Sequence, residues 1–167
     1  MGREKLKKYK VRTGAPHVEV AVSTKIDWFD VNIKIDIEGI QLSLKELRKS
    51  IRQNQRYVRL QDKSIAKISD EWFSKFQHLF NFSEGEDESV KVNRHHVTLI
   101  DILFSKVIDD KTDQEFWHSL RRLQNFTEIR ENPLPSGITG TLRPYQVAGY
   151  NWLLFLQEYN FGGCLAD

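Results

Sequence analysis

Hydrophobic and polar residues alternate over the first third of the chain, which predicts β-strands. Three valines alternate with smaller or polar neighbours, namely Val18, Val20 and Val22. Residues 31–37 then follow a strict period of two, so one face of this strand is apolar and the other is solvated. Gly39 allows the chain to turn out of that strand. Residues 56–60 and 65–68 predict a short hairpin.

Apolar residues then recur at helical spacing, and capping residues mark where helices begin. Residues 43–46 (SLKE) and 112–115 (TDQE) are two capping boxes, each at the start of a helix. Between them, Ser69 or Asp70 caps a helix with an aromatic stripe, and residues 97–108 repeat at helical spacing. These elements predict an α+β fold, with small antiparallel strands and hairpins followed by a cluster of helices.

The pattern changes in residues 127–141, where prolines and glycines are too dense for a helix. This composition predicts a linker between an auxiliary domain, residues 1–126, and a further segment, residues 142–167. Pro144 suits the first turn of a helix. This helix is apolar nearly all round, which predicts burial on several sides, and two glycines end it. Residues 164–166 (CLA) predict the start of a buried strand, so that the last segment reads as the beginning of a RecA-like α/β lobe.

Composition excludes several classes of protein. The chain has 167 residues, 40% hydrophobic and 29% charged, which is typical of one well-buried soluble domain. Its apolar runs are too short to span a bilayer, so we expect no membrane partner. The one cysteine, Cys164, cannot form an internal disulfide, which favours a reducing, cytoplasmic location.

Charge is unevenly spread along the chain. Residues 1–60 carry 14 Lys and Arg against 7 Asp and Glu, whereas residues 61–167 carry 11 against 16. A basic half favours phosphate backbones, although a solvated surface has the same pattern. The best DNA-binding candidates lie on and beside the helix that begins near residue 43: Lys45, Arg48, Lys49, Arg52, Arg56 and Arg59.

The last 26 residues resemble a known family. Residues 142–146 (LRPYQ), Gly149, residues 152–153 (WL) and residues 163–167 (GCLAD) look like the start of the ATPase core of SWI/SNF-type helicase-like motors, in helicase superfamily two. That family continues with a second acidic residue and a glycine-lysine-threonine phosphate loop, neither of which lies within these 167 residues. The resemblance therefore implies an ATP-driven DNA translocase, while the chain alone is expected to be inactive as an ATPase.

A less specific resemblance covers the upstream part of the chain. Residues 27–30 (DWFD), 42–44 (LSL), 56–58 (RYV) and 71–72 (EW) resemble the auxiliary region that precedes the motor in bacterial members. This resemblance implies a place in a larger protein and does not assign an activity.

The motor resemblance implies that Gln146 reads the adenine of ATP. A carboxamide offers a donor and an acceptor side by side, which matches the N6 and N7 positions of adenine. Tyr145 or Arg143 would cover a face of the base, or Arg143 would contact phosphate. ATP and magnesium are then cofactors of the whole motor, and we expect neither to be bound to this chain alone.

The partners that follow are DNA and the rest of the ATPase motor. The alternative is a non-catalytic interaction or regulatory module that docks on the motor. The apolar C-terminal helix is expected to pack on the preceding helices or to self-associate with another copy. We expect no metal site, because His95 and His96 would point about 100° apart on a helix and one cysteine excludes a thiolate cluster.

Overall fold

The structure, a computed structural model, describes residues 11–86, 88–137 and 139–165. Its strands are β1 (Val11–Arg12), β2 (His17–Thr24), β3 (Trp28–Ile37), β4 (Ile40–Leu42), β5 (Tyr57–Arg59), β6 (Ile65–Lys67), β7 (Ser83–Glu84) and β8 (Lys91–Asn93). Its α-helices are α1 (Leu44–Arg52), α2 (Asp70–Asn81), α3 (Val97–Phe104), α4 (Gln114–Gln124) and α5 (Pro144–Tyr159), and a 3₁₀ turn spans Arg94–His96. The chain divides into two compact units between His118 and Ser119.

The first unit confirms the predicted α+β fold with two small sheets. In one, the strand order is β1-β6-β5, with β1 parallel to β6 and β5 antiparallel to it. In the other, the order is β2-β3-β8-β7 with β4 beside β3, and every pairing is antiparallel. The predicted period of two is confirmed, since Val18, Val20 and Val22 are buried. The predicted hairpin is formed by β5 and β6, and Gly39 turns the chain with a φ of 82°.

The predicted helix over 97–108 is too long, because α3 ends at Phe104. The chain after it lies along the outer edge of β2, where the Val20 amide donates to the Val107 carbonyl at 3.1 Å. The Asp109 amide in turn donates to the Val20 carbonyl at 2.7 Å. An edge strand leaves a row of backbone groups that need partners, and this segment supplies them. Edge pairing therefore overrides helical spacing here.

The second predicted capping box is also wrong. Helix α4 begins at Gln114, and the Phe116 amide donates to Asp113 Oδ1 at 2.9 Å, so Asp113 caps the helix. Thr112 instead accepts a hydrogen bond from the Val22 amide at 3.1 Å. At α1 and α2, by contrast, the predicted cap hydroxyls of Ser43 and Ser69 accept amides of the first turn.

The core of the first unit is built from the sheet faces and aromatic side chains of the helices. Phe76 of α2 lies 6.0 Å from Phe104 of α3, measured between ring centroids. Phe29 of β3 meets Phe116 of α4 edge to face at 5.5 Å. All four rings are almost completely buried, and each such burial stabilises the fold by about 1.5–3 kcal/mol. The predicted assignment of these aromatic stripes to the core is confirmed.

The second unit contains the predicted helix α5, with Pro144 at its first position. Its predicted burial on several sides is wrong, because Asn151 is the one buried residue among those described in the helix. Tyr145 is 66% exposed and Leu153 is 55% exposed. The helix does pack on the preceding chain along one side, where Phe155 lies 4.9 Å from Phe126.

The end of this unit also differs from the prediction. Helix α5 ends at Tyr159, before the two glycines, and is capped by Asn160, which adopts a left-handed conformation with a φ of 53°. The predicted buried strand at residues 164–166 is not formed in the part that the structure describes, where Cys164 is exposed and Leu165 is 81% exposed. A strand requires a neighbour to pair with, and no described residue pairs with residues 161–165.

Between α4 and α5 the described residues form neither helix nor strand. The domain boundaries placed around this segment remain predictions. No helix within the described ranges is long and apolar enough to cross a membrane.

Candidate nucleic-acid and nucleotide sites

The predicted basic residues divide into two groups in the structure. Lys45, Lys49 and Arg52 lie on the exposed face of α1, and Arg59 is exposed on β5. Two other arginines of the predicted set, Arg48 and Arg56, point towards aromatic rings within the first unit. The sequence pattern therefore overstated the size of the exposed basic surface.

Arg48 is 7% exposed and links α1 to Phe80 of α2 and to the Ser89 backbone. Its guanidinium carbon lies 4.2 Å from the centre of the Phe80 ring, and its Nη2 donates to the Ser89 carbonyl at 2.9 Å. An arginine stacked on an aromatic ring and bonded to backbone contributes to packing as much as to charge. Arg48 is therefore too buried to contact DNA in this structure.

Arg56 has a similar structural role at the base of the β5–β6 hairpin. Its guanidinium carbon lies 3.7 Å from the centre of the Phe73 ring, and its Nε donates to Asp70 Oδ1 at 2.9 Å. This hydrogen bond lowers the pKa of the Asp70 carboxyl.

A groove of about 400 Å³ lies between α1 and the β5–β6 hairpin, and we call it the basic groove. Its lining includes three cationic side chains, an exposed aromatic ring and two side-chain amides: Lys49, Arg59, Lys63, Tyr57, Gln53 and Gln55. Glu46 is the one acidic residue among its lining residues. Lys49 also lines a second groove beside α1, together with Lys45 and Arg52 and the acidic residues Glu46 and Glu86.

The predicted nucleotide residues lie together in the first turn of α5. Gln146 Oε1 accepts a hydrogen bond from the Arg143 amide at 2.9 Å, which caps the start of the helix. All three side chains, Arg143, Tyr145 and Gln146, are exposed. A carbonyl oxygen has two lone pairs, and the amide nitrogen of Gln146 adds a donor beside it. In the structure the carboxamide of Gln146 thus caps α5, and its contact with adenine stays a prediction.

A buried polar residue of α5 was not singled out from the sequence. Asn151 is 6% exposed, and its Oδ1 accepts a hydrogen bond from the Asn132 amide at 2.8 Å. One residue earlier, the Tyr150 hydroxyl donates to the Pro133 carbonyl at 3.2 Å. Together these bonds hold residues 132–133 against the middle of the helix.

The sequence predicts that the two adjacent histidines point apart, and this prediction is wrong. They lie on the 3₁₀ turn, where the Nε2 atoms of His95 and His96 are 3.0 Å apart. Phe82 packs edge-on against His96 at 5.2 Å, and burial lowers the pKa of His96, with a smaller contribution from His95. Within the described ranges, no group of three or more metal-ligating side chains comes together.

Comparison of the sequence with known proteins identifies a family. The family model described as "Bacterial SNF2 helicase associated" matches residues 2–133. The chain is 28% identical over 150 residues to the "Putative ATP-dependent helicase/translocase YwqA" of Bacillus subtilis, covering 83% of this chain and 16% of that protein. It is 34% identical over 92 residues to "Helicase SWR1" of Candida albicans, covering 52% of this chain and 5% of that protein.

A further relative is the "TATA-binding protein-associated factor mot1" of Aspergillus fumigatus, 40% identical over 48 residues, which is 29% of this chain and 2% of that protein. The chain thus spans a sixth or less of the length of these relatives. No solved structure matches the chain. The match to the family model covers most of the chain and agrees with the resemblance found in the sequence. The chain therefore belongs to the bacterial SNF2 helicase associated family and represents an N-terminal region of a SWI/SNF-type helicase.

Proposed function

We propose that the chain serves a SWI/SNF-like, DNA-dependent ATPase in two ways. Its first unit is an auxiliary domain that contacts the DNA backbone through Lys49, Arg52 and Arg59. The first turn of α5 contributes Gln146 as the adenine reader of the ATPase lobe. We expect that the chain alone does not hydrolyse ATP, because its 167 residues contain no glycine-lysine-threonine phosphate loop.

Three exposed cations without an ion-pair partner among the described residues support the DNA proposal. Lys49, Arg52 and Arg59 form no ion pair with any residue that the structure describes. They sit on a helix and a strand that are fixed by buried contacts, so little order is lost when a ligand binds. Unpaired cations on a rigid surface are well suited to neutralise backbone phosphates.

A triple variant tests this role. Lys49→Gln, Arg52→Gln and Arg59→Gln together should weaken binding of a short DNA duplex at low salt by at least about tenfold, because three charge-assisted contacts are lost. The matched control is Lys34→Gln, Lys106→Gln and Arg121→Gln, which removes the same charge from exposed positions elsewhere. Fluorescence anisotropy of a labelled duplex measures both. Equal affinities of the two variants would contradict the proposal.

The adenine-reading role is supported by the chemistry of the turn and by the family. Gln146 keeps a free donor beside an acceptor that has a second lone pair, and both are exposed. ATP and magnesium would then belong to the whole motor, where Arg143 or Tyr145 covers the base. Two relatives are named helicases, which agrees with this assignment.

A second candidate function is a protein-interaction module that docks on the motor. The exposed Tyr145 and Leu153 side chains of α5 support it, because docking on the motor would remove their apolar surface from water. The same surface would support self-association with another copy. Analytical ultracentrifugation distinguishes these cases. A concentration-dependent dimer that Leu153→Lys abolishes indicates self-association. A chain that stays monomeric contradicts self-association, and docking on the motor is then the proposal that stands.

A further inference from the structure

The basic groove has walls that are fixed by buried hydrogen bonds. Ser50 of α1 is 5% exposed, and its Oγ lies 2.8 Å from the Gln55 carbonyl and 2.9 Å from the Tyr57 carbonyl. The Gln55 amide returns a bond to the Ser50 carbonyl at 2.8 Å. These contacts hold the start of β5 against the helix. The groove is therefore preformed and does not depend on a ligand to open it.

The aromatic ring in this groove, Tyr57, does not belong to the buried core. Tyr57 is 44% exposed, while its neighbour Val58 provides the buried side of the strand at 2% exposure. Tyr57 pairs with Lys67 across the hairpin, and Arg59 pairs with Ile65. The period of two places Tyr57 and Arg59 on the same face of the sheet. An aromatic ring and a cation are thus presented side by side to solvent.

The lining combines the three kinds of group that bind a single strand. Lys49, Arg59 and Lys63 form no ion pair with the residues that the structure describes, and they supply charge for phosphates. The amides of Gln53 and Gln55 offer donors and acceptors to base edges. Tyr57 supplies a ring on which a base can stack.

We propose that the basic groove binds a single-stranded nucleic-acid segment, with one base stacked on Tyr57 and its flanking phosphates held by Lys49, Arg59 and Lys63. This inference rests on the proposed DNA-binding function and makes it more specific. Duplex DNA hides the faces of its bases, so it contacts the same cations without using Tyr57. An acidic peptide would use the cations but has no group that requires an aromatic platform.

The test compares an oligo-dT strand of about 15 nucleotides with a blunt duplex, using Tyr57→Ala, Tyr57→Phe and Phe82→Ala. Phe82 is 49% exposed and provides a matched aromatic control outside the groove. Tyr57→Ala should weaken oligo-dT binding by about tenfold, because aromatic stacking strengthens binding roughly 5- to 150-fold per base. Duplex affinity should stay within about twofold, and Tyr57→Phe and Phe82→Ala should bind oligo-dT like the unaltered chain.

Three other outcomes are distinguishable, and each would overturn a different proposal. If Tyr57→Ala binds oligo-dT as tightly as the unaltered chain while duplex binding persists, the single-strand proposal fails and the DNA-binding function stands. If an oligo-glutamate peptide displaces oligo-dT at equal charge concentration, the groove is a site for an acidic protein segment. If neither nucleic acid binds at low salt, the proposed function itself is wrong. Circular dichroism of Tyr57→Ala checks that the variant is folded.

Discussion

Arg12 joins three segments of the first unit through one guanidinium group. Its Nη1 lies 3.0 Å from Glu38 Oε2, and its Nη2 lies 2.9 Å from Asp62 Oδ2. Its Nε donates to Ser64 Oγ at 3.0 Å. Hydrogen bonds from Ser64 and Arg12 lower the pKa of Asp62 to about 2, and the bond from Arg12 lowers the pKa of Glu38. The cluster fixes β1 and the two adjoining turns.

These lowered pKa values predict the direction of a pH effect. A carboxylate whose pKa falls on folding stabilises the protein above its ordinary pKa, which is 3.8 for Asp62 and 4.5 for Glu38. That contribution is lost as the pH falls from about 4.5 towards 2. Arg12→Ala should therefore reduce the loss of stability over this window. Denaturant unfolding at several pH values measures it, with Arg121→Ala as an exposed control, and parallel pH profiles for both variants would contradict the account.

Single residues also show what the sequence was able to predict. The caps at Ser43 and Ser69 were predictable because a local hydroxyl and a local amide suffice. The cap of α4 was not, because Thr112 is taken by the Val22 amide of a distant strand. The contacts of Arg48 and Arg56 with aromatic rings were missed for the same reason, since Phe80 and Phe73 lie on α2.

At the scale of elements, α5 is held to the preceding chain by both polar and aromatic contacts. The buried Asn151 side chain accepts the Asn132 amide, and Phe155 packs against Phe126. A hydrogen bond of this kind contributes about 0.5–1.5 kcal/mol.

Replacing Asn151 tests this. Asn151→Ala should lower the free energy of opening at residues 132–133 by about 0.5–1.5 kcal/mol, because the amide of the exposed Asn132 exchanges its protein acceptor for water. Hydrogen exchange at the Asn132 amide measures the change directly. Gln157→Ala, an exposed substitution in the same helix, should leave that exchange rate unaltered. Similar exchange in both variants would show that the contact does not stabilise the unit.

The elements also show where periodicity is sufficient. Alternation predicted β2, β3 and the β5–β6 hairpin, because a buried face determines which residues point inward. The length of α3 and the exposure of α5 were mispredicted. Both depend on which surfaces meet: the segment after α3 covers an edge strand, and the described residues around α5 bury only Asn151 of that helix.

At the scale of the whole molecule, the chain carries two kinds of information. The family match ends at residue 133, before α5 begins, whereas the motor-like residues start at 142. The auxiliary region and the turn that carries Gln146 are thus separate in sequence. We propose that they act in one motor, with the basic surface on DNA and Gln146 on the nucleotide.

The nucleotide role predicts a base-specific defect in the whole motor protein. Gln146→Glu should raise the KM for ATP by roughly tenfold, because the donor to adenine N7 is lost while the phosphate contacts are unchanged. The kcat at saturating ATP should change little. Gln157→Glu, which makes the same change on an exposed part of α5, provides the control. An unaltered KM would remove Gln146 from the nucleotide site.

The central claim is that Lys49, Arg52 and Arg59 neutralise DNA phosphates, and the salt dependence of duplex affinity tests it most directly. A plot of log K against log salt concentration has a slope of about −0.9 for each phosphate neutralised on B-DNA. Neutralising the three residues should therefore make the slope shallower by about 2 to 3 units, while the Lys34, Lys106 and Arg121 control keeps the slope of the unaltered chain. The same slope for all three proteins would contradict the claim.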